Sequence, residues 1–116
     1  MSGAFQLSGG AADKIRQKLT TTNPTVVAGS ATLQTAVVWF LCAEIAGATP
    51  NLSIEIYDAS TTTSYYLRSV KAMTARESVL FEAGIVLNPN EFLRITAGTT
   101  NQIDVVGLSL LNNSLT

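Results

Sequence analysis

The chain has 116 residues, a net charge of −1 and 13% charged side chains against 47% hydrophobic ones. Ordinary globular domains carry about 25% charged residues; here Thr, Ser, Asn and Gly take their place, which suits strands and turns better than helix surfaces. The length fits one domain with one real core, and the missing basic excess argues against nucleic acid as the main partner.

Residues 1–12 read as an N-terminal extended arm ahead of a single domain at 13–116. Phe5 and Leu7 share one face of an extended chain, and Gly9-Gly10-Ala11-Ala12 reads as a flexible joint. Fully extended, such an arm reaches about 40 Å. Residues 13–21 fit either a short helix through Ile15 and Leu19 or an edge strand with Arg16 and Lys18 as charged alternates. The Thr20-Thr21-Thr22 tail favours the strand, and Asn23-Pro24 ends it.

A short strand is expected at 25–28. The run Leu33 to Ile45 is the most apolar of the chain. It reads as a central strand covered on both sides, or one crossing between sheets, with Trp39 in the core. Leu52 to Asp58 alternates cleanly, with Leu52, Ile54 and Ile56 inward and Ser53, Glu55 and Tyr57 outward. The loop Ala59 to Thr63 joins it to Ser64–Lys71 as a hairpin. Short strands follow at 77–81 and 84–87, closed by the turn Asn88-Pro89-Asn90-Glu91. Phe92 to Ala97 alternates with Leu93 and Ile95 inward. Gly98-Thr99-Thr100-Asn101 reads as a hairpin-type loop before the last strand, Gln102 to Leu111. A bulge at Gly107 would bring Ile103, Val105, Leu108 and Leu110 to one side.

The expected fold class is therefore all-β: an antiparallel β-sandwich of eight or nine short strands, jelly-roll-like or Ig-like. No internal disulfide can form, since Cys42 is the lone cysteine, and with no histidine to serve as its base the thiol reads as buried and inert. The carboxylates Asp13, Glu44, Glu55, Asp58, Glu77, Glu82, Glu91 and Asp104 have no metal-loop spacing. Glu55 and Asp104 are conceivable as an acid–base pair, although nothing in the sequence brings them together. No phosphate-cradling glycine loop or nucleophile elbow occurs. The expectation is no catalytic residue, no cofactor and no metal. No signal peptide or bilayer-length apolar run is read, so neither export nor a membrane partner is expected, and synthesis is placed in the cytosol.

Tyr57, Tyr65 and Tyr66 fall within one hairpin. Neighbours on a strand alternate faces, so at least one of Tyr65 and Tyr66 must meet solvent or a partner. With Phe5 and Leu7, these tyrosines are the candidate interface residues.

The order of elements resembles a family of small tailed-bacteriophage virion proteins. The likeness is carried by Lys18-Leu19-Thr20-Thr21-Thr22, the apolar Val37 to Ala43, and Ser64-Tyr65-Tyr66-Leu67. Leu87-Asn88-Pro89-Asn90-Glu91-Phe92-Leu93-Arg94-Ile95 and Asn101-Gln102-Ile103-Asp104-Val105-Val106-Gly107 complete it. The resemblance spans about residues 14–111. It implies a non-enzymatic role in the virion, foremost as a capsid decoration (cement) protein, with a neck or tail component as the alternative. It also implies the major capsid protein or other virion proteins as partners, and a homo-oligomer, a trimer if the protein decorates the capsid. It offers no catalytic residues. From a different class, a carbohydrate-binding module using Tyr57, Tyr65 or Tyr66 remains an alternative.

Overall fold

A computed structural model describes residues 10–112 other than Ala83. Among these residues no helix forms, and the chain lays down nine strands. They are β1 (Gly10–Lys18), β2 (Thr25–Ser30), β3 (Gln34–Glu44), β4 (Asn51–Asp58), β5 (Thr63–Ala72), β6 (Ser78–Phe81), β7 (Ile85–Leu87), β8 (Glu91–Ala97) and β9 (Ile103–Asn112).

The pairing is that of a long antiparallel ribbon folded back on itself. Its tip is the turn between β4 and β5. Working outward from the tip, β3 pairs with β6 and β7, β2 with β8, and β1 with β9. The ribbon is rolled so that alternate rungs land in different sheets. The first sheet runs β1-β9-β3-β6, with β7 continuing the β6 edge along β3; the second runs β2-β8-β4-β5. This is a jelly roll, and of the two sandwich types expected, the Ig-like order is not the one found.

The inner faces share one core. Ile15, Phe40, Cys42, Ile103 and Val105 from the first sheet meet Leu52, Ile54, Leu93 and Ile95 from the second, all buried. Phe40 stacks on Phe81 with ring centroids 4.7 Å apart. On the open side of the sandwich the Arg68 guanidinium of β5 lies 4.9 Å from the centre of the Phe81 ring, a cation–π contact across the two edges.

Several expectations are corrected. β1 begins at Gly10, so the presumed joint at Gly10-Ala11-Ala12 is strand paired with Leu110 to Asn112. The remainder of the arm, with Phe5 and Leu7, lies outside the described residues. The segment Gly98 to Asn101 is not a hairpin loop, because β8 and β9 belong to different sheets. Most consequential is the last strand. β9 runs without a bulge, and the extra residue sits on its partner β3, where the register shifts between Val37 and Trp39. Ile103 and Val105 therefore face the core while Val106, Leu108 and Leu110 take the outer face. Gly107 serves a different purpose: a Cβ there would collide with the Trp39 carbonyl oxygen and lie 2.9 Å from Phe40 Cα. Only a residue without a side chain lets bulged β3 come this close.

Candidate interaction surfaces

Two outer faces and two long edges are available for contact. The outer face of the first sheet is unusually apolar. Trp39 is 37% exposed, Val106 38%, Leu80 50% and Val86 61%. The register joins them. Val106 neighbours Leu41, which neighbours Leu80; Leu108 neighbours Trp39; Leu110 neighbours Ala36, which neighbours Val86. Trp39 is thus a surface residue, not the core residue the apolar run suggests, and the outer side of β3 is open. The sequence signal for this face was present but ambiguous. β3 and β9 are apolar at both parities, the pattern of strands covered on both sides.

Charge borders this face. Lys14, Arg16 and Lys18 project from β1 at one edge, and Lys18 Nζ donates to Asp104 Oδ1 at 2.7 Å. At the other edge Glu82 follows Phe81, where the edge strand is interrupted between β6 and β7. There it lines a shallow open depression of about 430 Å³ with Val38, Trp39 and Leu80.

The outer face of the second sheet is aromatic and polar. Arg94 Nη2 donates to the Oε1 atom of buried Glu55 at 3.1 Å, and the guanidinium lies 3.8 Å from the centre of the Tyr57 ring. Arg94 Nε has no hydrogen-bond partner among the described residues. Tyr66 pairs with Glu55 across the ladder, and Phe92 with Tyr57. Edge strand β5 carries two more residues than β4 needs, with register shifts on both sides of Ile54. Such bulges raise the twist and turn an edge away from its sheet. Tyr65 and Tyr66 are accordingly both exposed, at 60% and 56%, and Val70 stands out at φ 51°, a strained angle for a β-branched residue. The structure brings Tyr57 and Tyr66 together around Glu55 and Arg94, and leaves Tyr65 opposite Ile56.

Glu44 and Glu77 have structural employment. Glu44 is buried at the end of β3 and accepts four backbone N–H groups, from Ala46, Gly47, Ala48 and Arg76, at 2.8–3.0 Å. Burial alone would raise its pKa; the four donors outweigh burial and bring it from the ordinary 4.5 down to about 2. Glu77 is lowered by the Thr74 N–H and by Lys71. Glu55 and Asp104 sit on the outer faces of opposite sheets, so they cannot act on one bond. The Cys42 thiol is buried, which pushes its pKa up to about 12. Among the described residues no three His, Cys, Asp or Glu side chains come together as a metal site.

No protein-family model matches the chain, and no curated protein sequence matches it. Solved structures similar in shape include the following three. A pentameric capsid protein from metagenomic phage sequences is 19% identical, with a TM-score of 0.46 over 83% of this chain and 63% of its own. The structure of infectious bursal disease virus, Gx strain, is 10% identical, with a TM-score of 0.43 over 94% of this chain and 32% of that one. The CBM22-1–GH10 modules of Clostridium thermocellum xylanase 10B are 12% identical, with a TM-score of 0.33 over 93% and 27%. None of the three likenesses is close, and the chain spans less than two thirds of the length of each.

Proposed function

We propose that this protein is a non-enzymatic structural component of a virion, foremost a decoration protein bound to the capsid, with a neck or tail position as the alternative. The observation that carries the reading is the pair of outer faces. A rigid jelly roll presents an apolar sheet on one side and an aromatic, arginine-centred sheet on the other. Contiguous exposed apolar surface is rare on proteins that work alone, and Tyr and Arg are favoured anchors of interfaces. The sequence resemblance to small tailed-phage virion proteins supports the same reading. Repeated copies on a particle gain avidity from weak single contacts, and Phe5 and Leu7 add a second attachment point.

The test is particle association. Particles purified from a lysate producing this chain are washed through a density gradient, and the chain is quantified by mass spectrometry. Shell decoration predicts a copy number comparable with the major capsid protein, a neck or tail position predicts one small ring, and absence from particles overturns the reading. Deleting residues 1–9, which carry Phe5 and Leu7, should weaken association while the circular-dichroism spectrum stays that of the full chain.

A second reading is favoured by one observation: exposed Tyr66 beside Glu55 and Arg94. Aromatic faces flanked by polar groups suit sugar rings. Glycan-array binding lost on Tyr66→Ala would support a carbohydrate-binding module.

A further inference from the structure

We propose that the outer face of the first sheet binds the same face of a second copy, about a two-fold axis parallel to the strands. This pairing goes beyond the virion reading and does not depend on it.

Sequence and exposure disagree on this face. β3 and β9 have the composition of strands buried on both faces, yet Trp39, Leu80, Val86 and Val106 of this face are exposed in the single chain. Something must cover them. The face is also large enough. Three strands of nine to eleven residues, with the four residues of β6 and three of β7 along the fourth position, make a face on the order of 600 Å². That approaches the roughly 800 Å² per partner of a standard stable interface.

Charge points to a second copy as the occupant. One row crosses the face from Lys14 on β1, through Leu108 and Trp39, to Glu82 beside β6. It carries a cation at one end, an anion at the other and apolar groups between. A two-fold axis parallel to the strands keeps the height of each row and exchanges its ends. Lys14 of one copy then faces Glu82 of its partner, Glu82 faces Lys14, and the two Trp39 side chains approach near the axis. Arg16 lies one row away and strengthens the same cationic end. An axis perpendicular to the strands would set β1 against β1 and bring cations together. Charge therefore selects one arrangement, and the contact is isologous and closed.

Sedimentation equilibrium of the purified chain tests the pairing. A dimer is expected, with Trp39 fluorescence shifting to the blue as concentration rises. Leu80→Lys, which sets a cation against Arg16 at the other end of its row in the partner, should leave a monomer with an unchanged circular-dichroism spectrum. Lys14→Glu and Glu82→Lys should each weaken association by about tenfold, from one like-charge contact per half. The double swap should recover most of that loss. A wild-type monomer at the highest soluble concentration overturns the pairing. So does a dimer indifferent to Leu80→Lys, or one whose single charge reversals are not rescued by the swap. The virion reading survives any of these results, because particle association is measured separately.

Discussion

Gly107 and Glu44 show how single positions hold this sandwich. At Gly107 the backbone of bulged β3 presses directly on β9, and backbone atoms cannot yield as a flexible side chain can. Gly107→Ala should destabilise the fold by about 1–3 kcal/mol, measured by urea titration. Glu44 ties the β3–β4 loop and the Arg76 backbone to the end of β3. Its pKa is lower folded than unfolded, so its contribution to stability is complete above about pH 4.5 and is lost as pH falls through about 2. Glu77 acts in the same direction. Thermal midpoints should therefore be flat above pH 5 or so and drop below it, and Glu44→Gln should lower the plateau and flatten the acid limb. A fall of equal steepness in the variant would assign the acid sensitivity elsewhere.

At the level of elements, the edges are where the sheets meet their surroundings. β1 is an edge strand guarded by Lys14, Arg16 and Lys18, the type of protection that exposed strands carry against stray pairing. Its first three residues pair with the end of β9. Deleting residues 1–9 should leave the unfolding midpoint in urea unchanged, whereas deleting 1–12 removes those ladder bonds and should cost about 1–3 kcal/mol. β5 solves the edge problem differently: two extra residues bend it, and the exposed tyrosines follow from that bend. The turn Asn88-Pro89-Asn90-Glu91 pins β8. The Glu91 N–H donates to the Asn88 carbonyl at 2.9 Å, with Asn90 at φ 70°, the left-handed angle a type II turn requires at its third residue.

For the whole molecule, the folded ribbon has a kinetic consequence. β1 can pair with β9 only after nearly the whole chain has been gathered, and loop closure must precede the contacts that reward it. Refolding followed by Trp39 fluorescence should fall in the millisecond-to-second range typical of such non-local sheets. A microsecond phase carrying the full amplitude would contradict the rolled-ribbon order as the rate-limiting feature. The same topology separates the two outer faces. If the apolar face joins two copies, the Tyr57–Tyr66–Arg94 face points away from the pair and stays free for a particle or a glycan.

Local pattern by itself determined the strands: the alternation in β4 and β8, the β4–β5 hairpin and the Asn88–Glu91 turn were all legible, because side chains on a strand alternate faces whatever the strand pairs with. It also placed Leu52, Ile54, Leu93 and Ile95 inward and required an exposed tyrosine at 65 or 66. Pairing was not legible. Whether Gly98–Asn101 closes a hairpin or crosses between sheets depends on partners distant in the chain, and so does the strand that receives the extra residue beside Gly107. That last choice turned Leu108, Leu110 and Trp39 outward and created the apolar face. A one-residue shift exchanges the two sides of a strand, and when both sides are apolar the sequence has no preference to express; only the packing of β9 against bulged β3 decides.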